Sequence, residues 1–168
     1  MKKEFYKKRL KNGLTILFEK RNLPIVGVST TIKFGCAYEN MKNKGVSHFI
    51  EHLTFKGTKT RTHDEIAREI EKKGGMINAF TSEEHTCYWN KLPSKYIETG
   101  LNIASDLILN PRFDEKEFEK EKKVILEEIK MYHDNPRIYV AEKIKSLLYK
   151  KPFGEFGAGT IKTVKSLA

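Results

Sequence analysis

The hydrophobic period of this chain changes from two residues to about 3.6 near Gly45, returns to two near Met76, and becomes helical again after Pro93. Asn12-Gly13 lies between two alternating stretches, residues 5–10 and 14–18, which is the signal of a tight hairpin. Residues 25–34 are β-branched and alternate, predicting a third strand with one face buried. Gly35 ends it, and a polar loop leads to Gly45. Residues 47–55 then carry Phe49, Ile50, Leu53 and Phe55 as an apolar helical stripe, with Gly57 as the stop. A second amphipathic helix follows over 64–73, starting near Thr62 or His63 and closed by Gly74-Gly75. Residues 76–80 and 85–92 read as a further pair of strands. The rest is helical: 95–109, a long charged helix capped by Asp114 and running to about His133, and 138–149 after Pro136. A Gly- and Pro-containing tail leads to a short ending at 162–168. The most economical layout is α+β, an antiparallel sheet with helices packed on one face.

At 168 residues the chain has the size of one domain, which buries roughly 70% of the surface its unfolded form exposes. Apolar residues at 39%, charged residues at 32% and a mean hydropathy of −0.56 argue against both a membrane protein and a disordered tail. No run approaches the ~20 apolar residues of a membrane span. The basic start lacks the apolar stretch of a signal peptide. Cys36 and Cys87 are too few for a disulfide framework and read as small buried residues in a reducing compartment, so a cytoplasmic location is expected. The net charge of +10 makes nucleic acid or an anionic membrane the first partner to consider. No RRM, KH, helix-turn-helix or zinc-finger spacing accompanies it, and the basic residues are scattered among acidic ones. Neither nucleic acid nor a membrane is therefore expected as a partner.

The string His48-Phe49-Ile50-Glu51-His52 carries the chemistry. Histidines at i and i+4 share a helix face one turn apart, so both imidazoles reach one metal ion. Glu51 is displaced around the helix and is placed to contact a water at the metal instead of the metal itself. A catalytic zinc takes a third protein ligand and leaves its fourth position to water. The long acidic helix offers candidates beside its apolar run Val124-Ile125-Leu126, because a carboxylate next to a buried run needs a partner. Glu121 and Glu128 are two turns apart and share a face, whereas Glu127 points about 100° away from Glu128.

From His48 to Thr58 the chain resembles the zinc-binding helix of the pitrilysin-type inverzincin peptidases, the family of the insulin-degrading enzymes and the mitochondrial processing peptidase. The resemblance extends upstream to Gly35-Cys36-Ala37-Tyr38-Glu39, Gly45 and Ser47. Downstream it takes in Gly74-Gly75, Asn78-Ala79-Phe80-Thr81-Ser82 and the helix from Glu121 with the following Met131 and Asp134. It implies one Zn²⁺ held by His48, His52 and Glu128, with Glu51 as the general base. Glu121 matches a further acidic residue beside the metal, behind the ligands. Asn78, Ala79, Phe80 and Thr81 match an edge strand to which an extended peptide substrate adds. His63, His85 and His133 are assigned no metal role.

The resemblance also implies that residues 1–168 form an incomplete N-terminal zinc-binding domain, short of at least one strand and one helix. A C-terminal half-domain or partner subunit would then close the chamber over the peptide. The implied activity is zinc-dependent endopeptidase cleavage of extended peptides or small unfolded proteins, weak or absent in this piece alone. The alternative is a non-catalytic peptide-binding or regulatory subunit of a processing-peptidase-like complex, which the presence of every ligand disfavours.

Overall fold

In a computed structural model, residues 4–168 are described, so the basic start at Met1-Lys2-Lys3 lies outside them. Strands β1 (Glu4–Arg9) and β2 (Thr15–Lys20) form an antiparallel hairpin on the Asn12-Gly13 turn, where Gly13 takes a φ of 91°. Strands β3 (Ile25–Ile32), β4 (Met76–Thr81) and β5 (Thr86–Pro93) form a second antiparallel sheet in the order β3-β5-β4. The expected antiparallel strands thus divide between two sheets. The hairpin is exposed at every strand position and forms a sheet of its own, β1 paired with β2.

Helices α1 (Val46–Thr54), α2 (His63–Glu71) and α3 (Ile97–Leu109) lie on one face of the three-stranded sheet. That face presents Tyr88 and Leu92 of β5, flanked by the half-buried Val26 and Ile77. Leu92 packs with Ile66 and Ile70 of α2 and Ile103 and Leu107 of α3 into one core. Each such buried side chain contributes roughly 1.5–3 kcal/mol. The opposite face leaves Ile25, Met76 and Phe80 exposed. Thr62, one of the two expected starts, caps α2 in a reciprocal capping box with Glu65.

A second core joins α1 to α4 (Glu115–Asp134), where Phe49 and Leu53 meet Ile125 and Ile129. Two residues of the expected apolar stripes face outward, Ile50 on α1 and Val124 on α4. α5 (Pro136–Leu148) packs on α4. The tail ends in α6 (Ile161–Ser166), which does not hang free: Ala158 and Val164 enter the second core.

Candidate metal centre

α1 begins at Gly45, whose φ of 95° suits glycine and whose missing Cβ would stand 2.6 Å from the Ala158 carbonyl oxygen. No side chain of α1 caps its own first turn. Glu39, just after a short 3-10 turn at Cys36–Tyr38, does so from outside: its carboxylate accepts from Gly45 N at 2.9 Å and Ser47 N at 2.7 Å. Lys44, fully buried like Glu39, pairs with it at 3.3 Å and donates to the Cys36 carbonyl at 2.8 Å. A buried carboxylate needs this pairing. The 3-10 turn and its glutamate occupy what the sequence reads as a polar loop.

α1 projects His48 and His52 toward α4, with ring centroids 4.6 Å apart. On α4, Glu121, Ile125, Glu128 and Tyr132 recur at helical spacing along the side facing α1. Glu128 Oε2 stands 3.7 Å from His48 Nε2 and 3.4 Å from His52 Nε2. Candidate ligand atoms of these three residues lie within 4.8 Å of one another. His52 Nδ1 is 3.1 Å from Glu121 Oε2, and Lys56 Nζ pairs with Glu121 Oε1 at 2.6 Å. Glu121 therefore accepts from His52 Nδ1 and fixes the ring so that Nε2 faces Glu128. The other oxygen of Glu128, Oε1, accepts from the Tyr132 hydroxyl at 2.5 Å.

Glu51 is nearly buried and points instead at the sheet, where Thr81 Oγ1 donates to its Oε2 at 2.5 Å. A cavity of about 560 Å³ opens between β4 and α4 and is lined by His48, Glu51, His52, Thr81 and Glu128. Asn78, Ala79 and Phe80 also line it, so all four residues matched to the peptide-binding strand reach this space. β4 is the edge of its sheet, and its side away from β5 pairs with no strand among the described residues. Its side chains alternate, Asn78 and Phe80 outward and Ala79 and Thr81 inward, so the four share only a backbone edge.

Burial, reinforced by neighbouring His52, lowers the His48 pKa to about 4, so this imidazole is neutral at pH 7. Burial also works against charge on His52, yet the neighbouring carboxylates of Glu128 and Glu121 outweigh it and raise that pKa. The His52 imidazole beside it holds Glu128 at about 2. Burial raises Glu51, and the Thr81 hydrogen bond partly offsets it.

Two imidazoles and a carboxylate suit Zn²⁺, and tetrahedral ligands at ~2.1 Å from zinc stand roughly 3.4 Å apart, close to the spacings around Glu128 Oε2. That oxygen is buried and accepts no hydrogen bond, and such an orphan beside two imidazoles fits a cation. The other histidines have different partners: His63 Nδ1 meets the Phe55 carbonyl, His85 Nδ1 meets Ser82 Oγ, and His133 packs edge to face on Tyr139.

The sequence reading passes over Glu39, Lys56 and Tyr132 as working parts. The i,i+4 spacing of Lys56 from His52 and of Tyr132 from Glu128 is a signal for two of them. Glu39 lies in the Gly35–Glu39 segment of the family resemblance, but no local spacing shows its role, which depends on a loop folding back.

Residues 15–160 match the model of the insulinase family, peptidase family M16. The chain is 43% identical over 170 residues to an uncharacterized zinc protease of Rickettsia felis, covering 99% of this chain and 41% of that protein. It is 36% identical over 160 residues to the mitochondrial-processing peptidase subunit beta of Rattus norvegicus, covering 95% of this chain and 33% of that one. The crystal structure of a protease from Helicobacter pylori superimposes with a TM-score of 0.91 at 25% identity, covering 99% of this chain and 41% of that one. The chain therefore spans well under half the length of these relatives. With the match covering most of its residues, this chain belongs to the insulinase family of peptidases, M16.

Proposed function

We propose that this chain is the zinc-binding part of an endopeptidase that cleaves extended peptides, and that a further half-domain or partner subunit closes over the cleft. The single observation that carries the reading is the convergence of His48 Nε2, His52 Nε2 and an orphaned Glu128 Oε2 beside the buried carboxylate of Glu51. When bound, zinc supplies Lewis acidity for a peptide carbonyl and lowers the pKa of its water toward ~7. His48, His52 and Glu128 would hold the ion, with His48 Nε2, His52 Nε2 and Glu128 Oε2 as the atoms that face one another. Glu51 takes a proton from the attacking water and hands it to the leaving amine. Its raised pKa brings it nearer the operating pH, which suits a group that works as base and then as acid. Thr81 engages one carboxylate oxygen and leaves the other for that water.

The peptide lies along the open edge of β4, with backbone hydrogen bonds giving affinity and little sequence preference. Among the described residues no helix is long and apolar enough to cross a membrane. The two free cysteines, Cys36 and Cys87, fit a reducing, cytoplasmic setting.

Metal analysis and two substitutions test this. The chain is expected to hold stoichiometric zinc and His48→Ala to lose it. Glu51→Gln keeps the zinc and loses peptide hydrolysis when joined to its closing half. A chain that holds no zinc and is indifferent to His48→Ala sinks the proposal. Peptide captured without turnover by the zinc-loaded, closed assembly would assign it a non-catalytic binding role.

A further inference from the structure

The two carboxylate oxygens of Glu128 have different environments. Oε1 accepts a hydrogen bond of 2.5 Å from the Tyr132 hydroxyl. Oε2 accepts none, is buried, and faces both imidazole Nε2 atoms. Tyr132 follows Glu128 by four residues on α4, so the two side chains leave the same helix face. Its ring packs edge to face on Phe156 with centroids 5.3 Å apart, which fixes where the hydroxyl points. A carboxylate offers only acceptors, so the phenol is the donor in this contact.

We propose that Tyr132 makes Glu128 a one-oxygen ligand, by occupying Oε1 and directing Oε2 alone at the cation. This rests on the zinc-site reading given above. Without the phenol, Oε1 is free to swing onto the same ion, and a carboxylate bound through both oxygens adds a fifth donor. Two imidazoles and a single oxygen leave the fourth tetrahedral position to water, the arrangement that a hydrolytic zinc site requires. Tyr132 touches neither the ion nor the substrate in this scheme and is a positioning residue. The fixed hydroxyl also spares the carboxylate the loss of rotational freedom on metal uptake, which raises affinity.

Tyr132→Phe removes the hydroxyl and keeps the ring that packs on Phe156. Chain loaded with Co²⁺ as a probe is expected to show the intense visible absorption of four-coordinate cobalt. The variant is expected to show a weaker, shifted band of higher coordination. Its Zn²⁺ affinity, measured by chelator competition, is expected to fall about 10–100-fold. A circular dichroism spectrum matching the parent shows that the variant is folded, a condition a merely structural role for the ring would also meet. An unchanged cobalt spectrum in the variant overturns the inference, with or without a loss of affinity. If the unaltered chain takes up neither metal, the zinc-site reading falls and this inference falls with it. A four-coordinate parent with an identical variant removes the Tyr132 assignment alone.

Discussion

Thr81 Oγ1 donates to Glu51 Oε2 across 2.5 Å, and this bond ties the edge strand β4 to the helix that carries the two histidines. Thr81 was matched to peptide binding through the strand it belongs to. Its side chain faces inward and engages Glu51, the proposed base, so strand and carboxylate are coupled through one hydroxyl. A shift of β4 on peptide uptake would be felt directly at the Glu51 carboxylate.

Thr81→Val should raise the Glu51 pKa further. Burial already raises it, and the Thr81 hydrogen bond is the opposing effect that the substitution removes. At a given pH less of the base is then ionised, so loss of the carboxylate on acidification starts at a higher pH. Carbon NMR of the Glu51 carboxyl in metal-free protein reads this directly. An unchanged titration would show that the hydroxyl carries no electrostatic weight.

Glu121→Gln should weaken zinc uptake about tenfold or more by loosening the hold on His52 Nδ1. It should also lower the His52 pKa, because Glu121 is one of the two carboxylates that raise it. Zinc must displace any proton on the ligating nitrogen, so uptake by the variant should release fewer protons than uptake by the parent chain. Isothermal calorimetry in two buffers of different ionisation enthalpy counts those protons.

Asp106 should contribute to the acid sensitivity of the fold. Its carboxylate is buried, which acts to raise its pKa, but it accepts from Thr58 Oγ1 at 2.7 Å, Thr60 Oγ1 at 2.8 Å, Arg61 Nη1 at 2.7 Å and Asn110 Nδ2 at 2.9 Å. Together these hold it at about 2, below its usual value of 3.8. A depressed carboxylate pKa stabilises the fold above the unfolded value and ceases to do so as pH falls through the folded one. The contribution, about 2 kcal/mol, should thus disappear between roughly pH 4 and pH 2. Asp106→Asn should lose it at neutral pH and show a flatter curve over that window in urea titrations.

Gly45→Ala should destabilise the chain by about 1–3 kcal/mol. It forces an alanine to a φ of 95° and sets its Cβ 2.6 Å from the Ala158 carbonyl oxygen. The urea midpoint should fall accordingly. A midpoint within error of the parent would mean that the tail moves aside at no cost.

Most element boundaries were legible because they depend on neighbours in sequence. The start of α2 at the Thr62 capping box, the N-cap of α4 at Asp114 and the turn at Asn12-Gly13 are set within four residues. The separation of β1 and β2 from the other sheet was not legible, because an alternating pattern predicts a strand but not which strand it joins. Ile50 and Val124 misled for a related reason. Periodicity marks an apolar arc, and the width of that arc that meets a partner is decided by the partner.

The sequence by itself determined which side chains share a helix face: His48 with His52 on α1, and Glu121 with Glu128 on α4, since 3.6 residues per turn leaves no choice. Only the tertiary structure decided that these two faces meet, which nitrogen of His52 is held by Glu121, and which oxygen of Glu128 Tyr132 takes. It also decided that Glu39 would fold back to cap α1 and that Thr81 would reach Glu51. Contacts between residues many positions apart depend on how α1, α4 and the sheet pack as bodies, and no local period encodes that.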